Sequence, residues 1–80
     1  MTENCNNTYD LTAEAAPYAL VKCRLALEEA AVGQVCRFLV KDEESVRSIS
    51  VCLPYDGDEI LSVEHMQDGV TEIVVRKRRE

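Results

Sequence analysis

Several building blocks of common active sites are scarce in this chain. Its 80 residues include three glycines, one histidine and no tryptophan. Three widely spaced glycines cannot form the glycine-rich loop that binds phosphate. The single His65 has no organised partner in the sequence, so we expect a surface histidine rather than a catalytic base. No apolar run approaches the roughly 18 residues that a membrane span requires.

Closely paired cysteines are also missing. The intervals between cysteines are long and irregular, and no C-x-x-C motif occurs among Cys5, Cys23, Cys36 and Cys52. Zinc ligands usually come in close pairs, and disulfide frameworks belong to exported chains. We therefore predict no metal and no cofactor. We expect Cys5 to be the most exposed thiol and the other three to pack as small apolar residues.

The N-terminus lacks the basic and apolar regions of a signal peptide. We interpret the polar residues 1–7 as a flexible leader and residues 8–80 as a single domain. A cytoplasmic location is the resulting expectation, with no contact to a membrane.

Acidic residues outnumber basic ones, which gives a net charge of −6. Nucleic-acid binding needs clustered cations, so we expect none by direct contact. The exception to this acidic character is a basic run at the C-terminus, formed by Arg76, Lys77, Arg78 and Arg79. We expect this run to be a solvated, frayed terminus; the alternative is a docking patch for an acidic partner or an RNA backbone.

Alternating and helical apolar patterns predict the order β-α-β-α-β-β. The predicted strands cover residues 9–12, 35–40, 60–66 and 70–75, and the predicted helices cover residues 17–31 and 43–53. The last two strands are joined by the short turn at residues 67–69, so they must be antiparallel. Two helices on one face of four strands would form an α+β two-layer sandwich. The pattern leaves the direction of the other strand pairs open.

Particular residues mark the ends and faces of the helices. Gly33 is predicted at the C′ position of the first helix, and Asp42 is predicted to cap the second, which the turn at residues 54–57 ends. The first helix has an apolar stripe consisting of Ala16, Leu20, Cys23, Leu27 and Ala30. The second has a stripe consisting of Val46, Ile49 and Leu53.

The turn before the first helix carries the most specific signal. Pro17 suits the N1 position because its missing N–H would have no helical partner there. Ala16 is then predicted at the helix N-terminus, where the helix dipole would favour an ionised cysteine. The residue present is an alanine, which has no nucleophilic atom.

The chain resembles the TusA/SirA sulfur-carrier family over most of its length. The similarity lies in Tyr9-Asp10-Leu11-Thr12, Ala16-Pro17-Tyr18, Leu20-Val21-Lys22, Arg24-Leu25-Ala26-Leu27, Gly33, Asp42 and Ile73-Val74-Val75-Arg76-Lys77. That family carries Cys-Pro-x-Pro at this turn, and its cysteine holds a persulfide. In this sequence Ala16 stands at the cysteine position and Ala19 at the second proline. The resemblance implies a mixed sheet with both helices on one side.

The resemblance implies a sulfurtransferase that relays persulfide sulfur between proteins. Its implied partners are a sulfur donor, either a cysteine desulfurase or a rhodanese-like protein, and a protein acceptor. The implied pathways are tRNA thiolation, cofactor synthesis and sulfur oxidation. Ala16 and Pro17 occupy the catalytic positions, so we expect an inactive form, whether engineered or natural, and a monomer.

Two other functions stay open on the sequence. One is a non-catalytic interaction or regulatory module that docks on sulfur-relay partners. The other is a domain that binds a small anion at exposed N–H groups near Ala16 and Pro17.

Overall fold

Four strands and two helices follow one another in the predicted order. The computed structural model describes residues 5–79. Its elements are β1 (Cys5–Asp10), α1 (Tyr18–Glu29), β2 (Val35–Val40), α2 (Glu43–Asp56), β3 (Glu59–His65), a 3-10 turn (Gln67–Gly69) and β4 (Thr71–Arg76). The predicted α+β class is confirmed.

The strands form one mixed sheet in the order β1-β2-β4-β3. β1 runs parallel to β2, whereas β4 is antiparallel to both β2 and β3. The register places Phe38 between Tyr9 on β1 and Ile73 on β4. The carboxyl ends of β1 and β2 therefore share one end of the sheet with the β3–β4 turn, and both helices begin at that end.

The core lies between the sheet and the two helices, which contact each other and both pack on β2. Alternate residues of β2 face this layer, and Phe38 stacks on Tyr9 with ring centroids 5.3 Å apart. The buried core side chains are Leu11, Ala19, Cys23, Ala26, Leu27, Cys36, Phe38, Val40, Ile49, Leu53, Ile73 and Val75. Burying these side chains supplies most of the free energy that favours folding.

The predicted apolar stripe of α1 is only partly correct. Cys23 and Leu27 are fully buried, as expected, whereas Leu20 and Ala30 are partly buried against the core. Ala19 and Ala26 were not in the predicted stripe, yet they lie in the core. Their small methyl groups let the helix approach the sheet closely, which a pattern of large apolar residues does not reveal.

Both ends of α1 differ from the prediction. The helix begins at Tyr18, so Pro17 occupies the N-cap position rather than N1. It ends at the C-cap Ala30, whose backbone is extended, so Gly33 is not its C′ residue. Gly33 instead has a φ of 92° in the following turn, where its N–H donates to the Lys77 carbonyl oxygen at 2.7 Å. In this conformation the Gly33 N–H reaches Lys77, the residue that follows β4.

The start of α2 is confirmed and its end is corrected. Asp42 is the N-cap, and its side chain accepts a hydrogen bond from the Ser45 N–H. The helix continues through Pro54 to Asp56, although Pro54 had been predicted to end it. Proline has no N–H to donate to the carbonyl four residues earlier, so Pro54 costs α2 one helical hydrogen bond near its end without stopping the helix. Gly57 then ends the helix in the left-handed conformation, with φ 106°.

β1 begins earlier than the sequence pattern predicts. Residues 5–7, which had been assigned to the leader, lie in the strand, where Cys5 pairs with Val35 and Asn7 with Cys36. Residues 1–4 of that leader lie outside the described residues.

The C-terminal basic run is folded onto the domain, so the expectation of a frayed terminus is wrong. Lys77 is buried, and its Nζ donates to the carbonyl oxygens of Glu28 at 3.2 Å and Ala30 at 2.7 Å. These carbonyls belong to the end of α1, where helical partners are lacking. Lys77 therefore caps α1 with a charge that the helix dipole favours.

The arginines that follow are also engaged. The Asp58 side chain is fully buried and accepts from the Arg78 N–H at 3.1 Å and from Arg79 Nε at 2.9 Å. Glu59 forms ion pairs with Arg76 and Arg78. The arginines of the basic run are therefore paired with Asp58 and Glu59, and the run is not an open cationic patch.

We predict that Lys77→Met lowers the free energy of unfolding by about 1–3 kcal/mol, because it leaves two helix-end carbonyls without their donor. Arg78→Met is the matched control. It removes only an exposed ion pair, so its cost should stay below about 1 kcal/mol. Urea denaturation followed by circular dichroism measures both. Equal losses in the two variants would contradict the capping role of Lys77.

Candidate functional site

Ala16 lies in the turn between β1 and α1, beside the first turn of α2. Its side chain is half-buried, and the peptide bond to the exposed Pro17 is cis. The Ala16 N–H donates to Asp42 Oδ2 at 3.3 Å. The side chain of residue 16 is thereby held where the N-termini of both helices meet.

Asp42 holds this arrangement with one carboxylate oxygen. Its Oδ2 also accepts from the Ser45 N–H at 3.2 Å and from Ser45 Oγ at 3.0 Å. The Ser45 hydroxyl and the Ala16 N–H lower the pKa of Asp42 below its ordinary value, because they stabilise the ionised carboxylate. The sequence indicated Asp42 as a cap of α2, but it gave no sign of the bond to residue 16.

The amides at the start of α1 already have partners within the chain. The N–H groups of Tyr18 and Ala19 both donate to the Ala15 carbonyl oxygen, at 2.8 and 3.2 Å. Pro17 has no N–H to offer, and that of Ala16 is bonded to Asp42. The expectation of exposed N–H groups that bind a small anion is therefore wrong. A carboxylate at the same turn also opposes an anionic ligand.

None of the thiols that the structure describes lies at this turn. Cys23 is fully buried in α1, and burial raises the pKa of its thiol to about 12. Cys36 is buried at the start of β2, at the opposite end of the sheet from Ala16. The packing roles predicted for these two residues are confirmed. A thiol with a raised pKa is a poor nucleophile at neutral pH, because its thiolate is scarce.

Cys52 is half-buried in α2, ten residues after Asp42. The helical rise separates it from the Asp42 cap by about 15 Å along the axis. The side chain of Cys5 lies outside the described residues.

His65 has no recorded contact with residue 16. His65 is exposed on β3, as expected, and its Nδ1 is 3.0 Å from Thr71 Oγ1. Among residues 5–79, no group of three or more His, Cys, Asp or Glu side chains could hold a metal ion. Over the same residues, no helix has the length and apolar character needed to cross a bilayer.

The mixed four-stranded sheet covered by two helices makes this chain a small α+β domain. The family model described as Sulfurtransferase TusA matches residues 7–77. The chain belongs to this sulfurtransferase family, as the resemblance implied.

Two curated proteins of Archaeoglobus fulgidus are similar to the chain, and each is named as a candidate sulfur carrier protein. The first is 29% identical over 73 residues, which cover 91% of this chain and 83% of the relative. The second is 31% identical over 64 residues, which cover 80% of this chain and 83% of the relative. Both matches extend across most of the domain.

Solved structures show the same fold. The crystal structure of a SirA-like protein from Desulfitobacterium hafniense matches with a TM-score of 0.80 and 20% identity, covering 92% of this chain and 100% of that one. A solution structure of a Helicobacter pylori protein matches with a TM-score of 0.69 and 22% identity, covering 90% of this chain and 97% of that one. At these identities the likeness concerns the fold alone.

We predict that the Asp42→Asn variant is less stable than the native chain at about pH 7. The difference between their free energies of unfolding should become smaller as the pH falls to about 2. The lowered pKa means that the ionised carboxylate stabilises the fold above about pH 4. This contribution is lost as the pH falls through the folded-state pKa. Thermal unfolding at a series of pH values measures the difference.

Glu43→Gln is the control, because it removes a charge from the same helical turn without removing the cap. Its stability difference should change less with pH. A difference for Asp42→Asn that stays constant or widens in acid would contradict the role assigned to the carboxylate.

Proposed function

We propose that this chain has the fold of a sulfur carrier but not its sulfur-accepting thiol. Ala16 stands at the position of the family cysteine, directly before Pro17. The proposal is supported by the family match across residues 7–77 and by the two relatives named as candidate sulfur carriers. The single observation that carries it is the position of Ala16, whose side chain has no nucleophilic atom, beside the N-cap residues of both helices.

Persulfide transfer requires a thiolate at this place. The thiolate attacks the outer sulfur of the donor persulfide, a new sulfur–sulfur bond forms, and the donor leaves as a thiolate that is then protonated. A methyl group has no lone pair with which to begin this step. The buried Cys23, with its raised pKa, cannot take over the reaction. The chain is accordingly inactive in sulfur relay, whether the alanine is natural or engineered.

The proposed partners are proteins. A sulfur carrier receives from a donor, such as a cysteine desulfurase or a rhodanese-like protein, and delivers to an acceptor protein. The support for these partners is the family match over residues 7–77. A cytoplasmic location and a monomeric state belong to the same proposal.

A second candidate is an interaction or regulatory module that docks on sulfur-relay partners without chemistry. The observation that favours it is the exposure of Tyr18 and Val21, two large apolar residues that immediately follow the turn. A group of exposed apolar residues on one surface often marks a site of protein–protein interaction.

We predict that Ala16→Cys restores sulfur acceptance. Incubation of this variant with a persulfide-loaded cysteine desulfurase should add about 32 Da, the mass of one sulfur atom. Peptide mass spectrometry should locate the added sulfur at position 16.

Ala15→Cys is the matched control, since it places an exposed thiol one residue earlier in the same turn. It should gain much less sulfur. Equal labelling of the two variants would mean that exposure alone decides acceptance, and an unmodified Ala16→Cys protein would refute the assignment of residue 16.

A further inference from the structure

The outward face of α1 carries a row of exposed apolar side chains. Tyr18, Val21 and Leu25 have exposed fractions of 65%, 46% and 56%. Spacings of three and four residues place them on one stripe of the helix, away from the buried stripe that includes Cys23. The row begins two residues after Ala16 and runs along the helix from the turn.

The cations on α1 are neutralised within the chain. Lys22 Nζ lies 2.7 Å from Glu14 Oε2, and Arg24 binds Asp56 through two hydrogen bonds of 2.8 and 3.2 Å. These pairs leave the row without an available positive charge.

Glu28 and Glu29 lie at the end of α1, beyond the apolar row. Neither side chain forms an ion pair with any residue that the structure describes, and both are exposed. Negative charge is unfavourable at a helix C-terminus, because the helix dipole is negative there. The Lys77 ammonium, which caps this helix end, offsets part of the negative charge, but both carboxylates stay exposed and outside any ion pair among the described residues.

Open grooves lie on both sides of Leu25. One, of about 450 Å³, is lined by Val21, Arg24, Leu25, Glu28, Asp56 and Arg79. The other, of about 330 Å³, is lined by Tyr9, Leu11, Lys22, Leu25, Ala26 and Glu29. Each groove combines apolar walls with one of the two unpaired glutamates, so each could receive an apolar side chain that has a cation beside it.

We propose that this face, defined by Tyr18, Val21, Leu25, Glu28 and Glu29, docks a partner protein whose surface presents apolar side chains next to lysine or arginine. The apolar row supplies contact area, and the exposed glutamates, which form no ion pair among the described residues, favour a basic partner by charge complementarity. The glutamates disfavour a second copy of this acidic chain, an RNA backbone and an anionic membrane. This docking face rests on the proposed interaction role and does not depend on the missing thiol.

An amphipathic helical peptide made of leucine and lysine is a direct probe of this chemistry. Added to the full chain at low salt, it should shift the amide NMR signals of Tyr18, Val21 and Leu25. The same peptide with glutamate in place of lysine should not shift them. Raising the salt concentration should weaken binding, since the charges are exposed.

Three variants separate the contributions of charge and of apolar contact to peptide binding. Glu28→Lys combined with Glu29→Lys should weaken binding about tenfold, and circular dichroism checks that the variant is folded. Leu25→Ser should also weaken binding about tenfold. Val51→Ser is the control, because it removes an equally exposed apolar side chain on α2.

Signals shifted mainly on α2 or the sheet would overturn the proposal, as would undiminished binding by the charge-reversed variant. Self-association through α1 in sedimentation, or binding to RNA or to phosphatidylserine vesicles that Leu25→Ser abolishes, would also overturn it. Sulfur acceptance by Ala16→Cys is measured separately, so a failure here leaves the proposed carrier position unaffected.

Discussion

The hydrogen bonding of the Asp42 carboxylate fixes the geometry on which the candidate site depends. One oxygen of this side chain caps α2 through Ser45 and holds the N–H of residue 16 in the turn before α1. A single carboxylate thus joins two turns that are 26 residues apart in sequence. Because α1 and α2 also contact each other in the core, the position of residue 16 is set by the fold and not by the loop alone.

This arrangement concentrates the chemistry of the turn in one side chain. The amides that a helix N-terminus usually offers to an anion are bonded to Ala15 and Asp42. The described thiols are distant from the turn, or buried as in the case of Cys23. What the turn can do therefore depends on residue 16, and in this chain that residue is an alanine.

Local signals in the sequence predicted much of the fold. The β-branched and aromatic residues of β2, the cap at Asp42 and the short turn at residues 67–69 are local signals, and the structure confirms each prediction. Errors arose where one local signal fits two structures. Gly33 has a positive φ in a connecting turn that is indistinguishable in sequence from a helix end, and Pro54 lies inside the last turn of α2 where a proline more often follows a helix.

Contacts between distant segments could not be predicted from local patterns. The basic run from Arg76 to Arg79 resembled a solvated terminus because its partners, Asp58 and the end of α1, are remote in sequence. The bond between Asp42 and residue 16 was missed for the same reason. The mixed character of the sheet and the placement of both helices on one side came from the family resemblance, since periodicity carries no information about them.

We propose that this chain accepts no persulfide sulfur, because the turn before α1 carries no thiol. The most direct test is the intact mass of the native chain after incubation with a persulfide-loaded donor, followed by mild removal of unbound sulfur. The account predicts an unchanged mass. A gain of one sulfur atom on any of the four cysteines would contradict it.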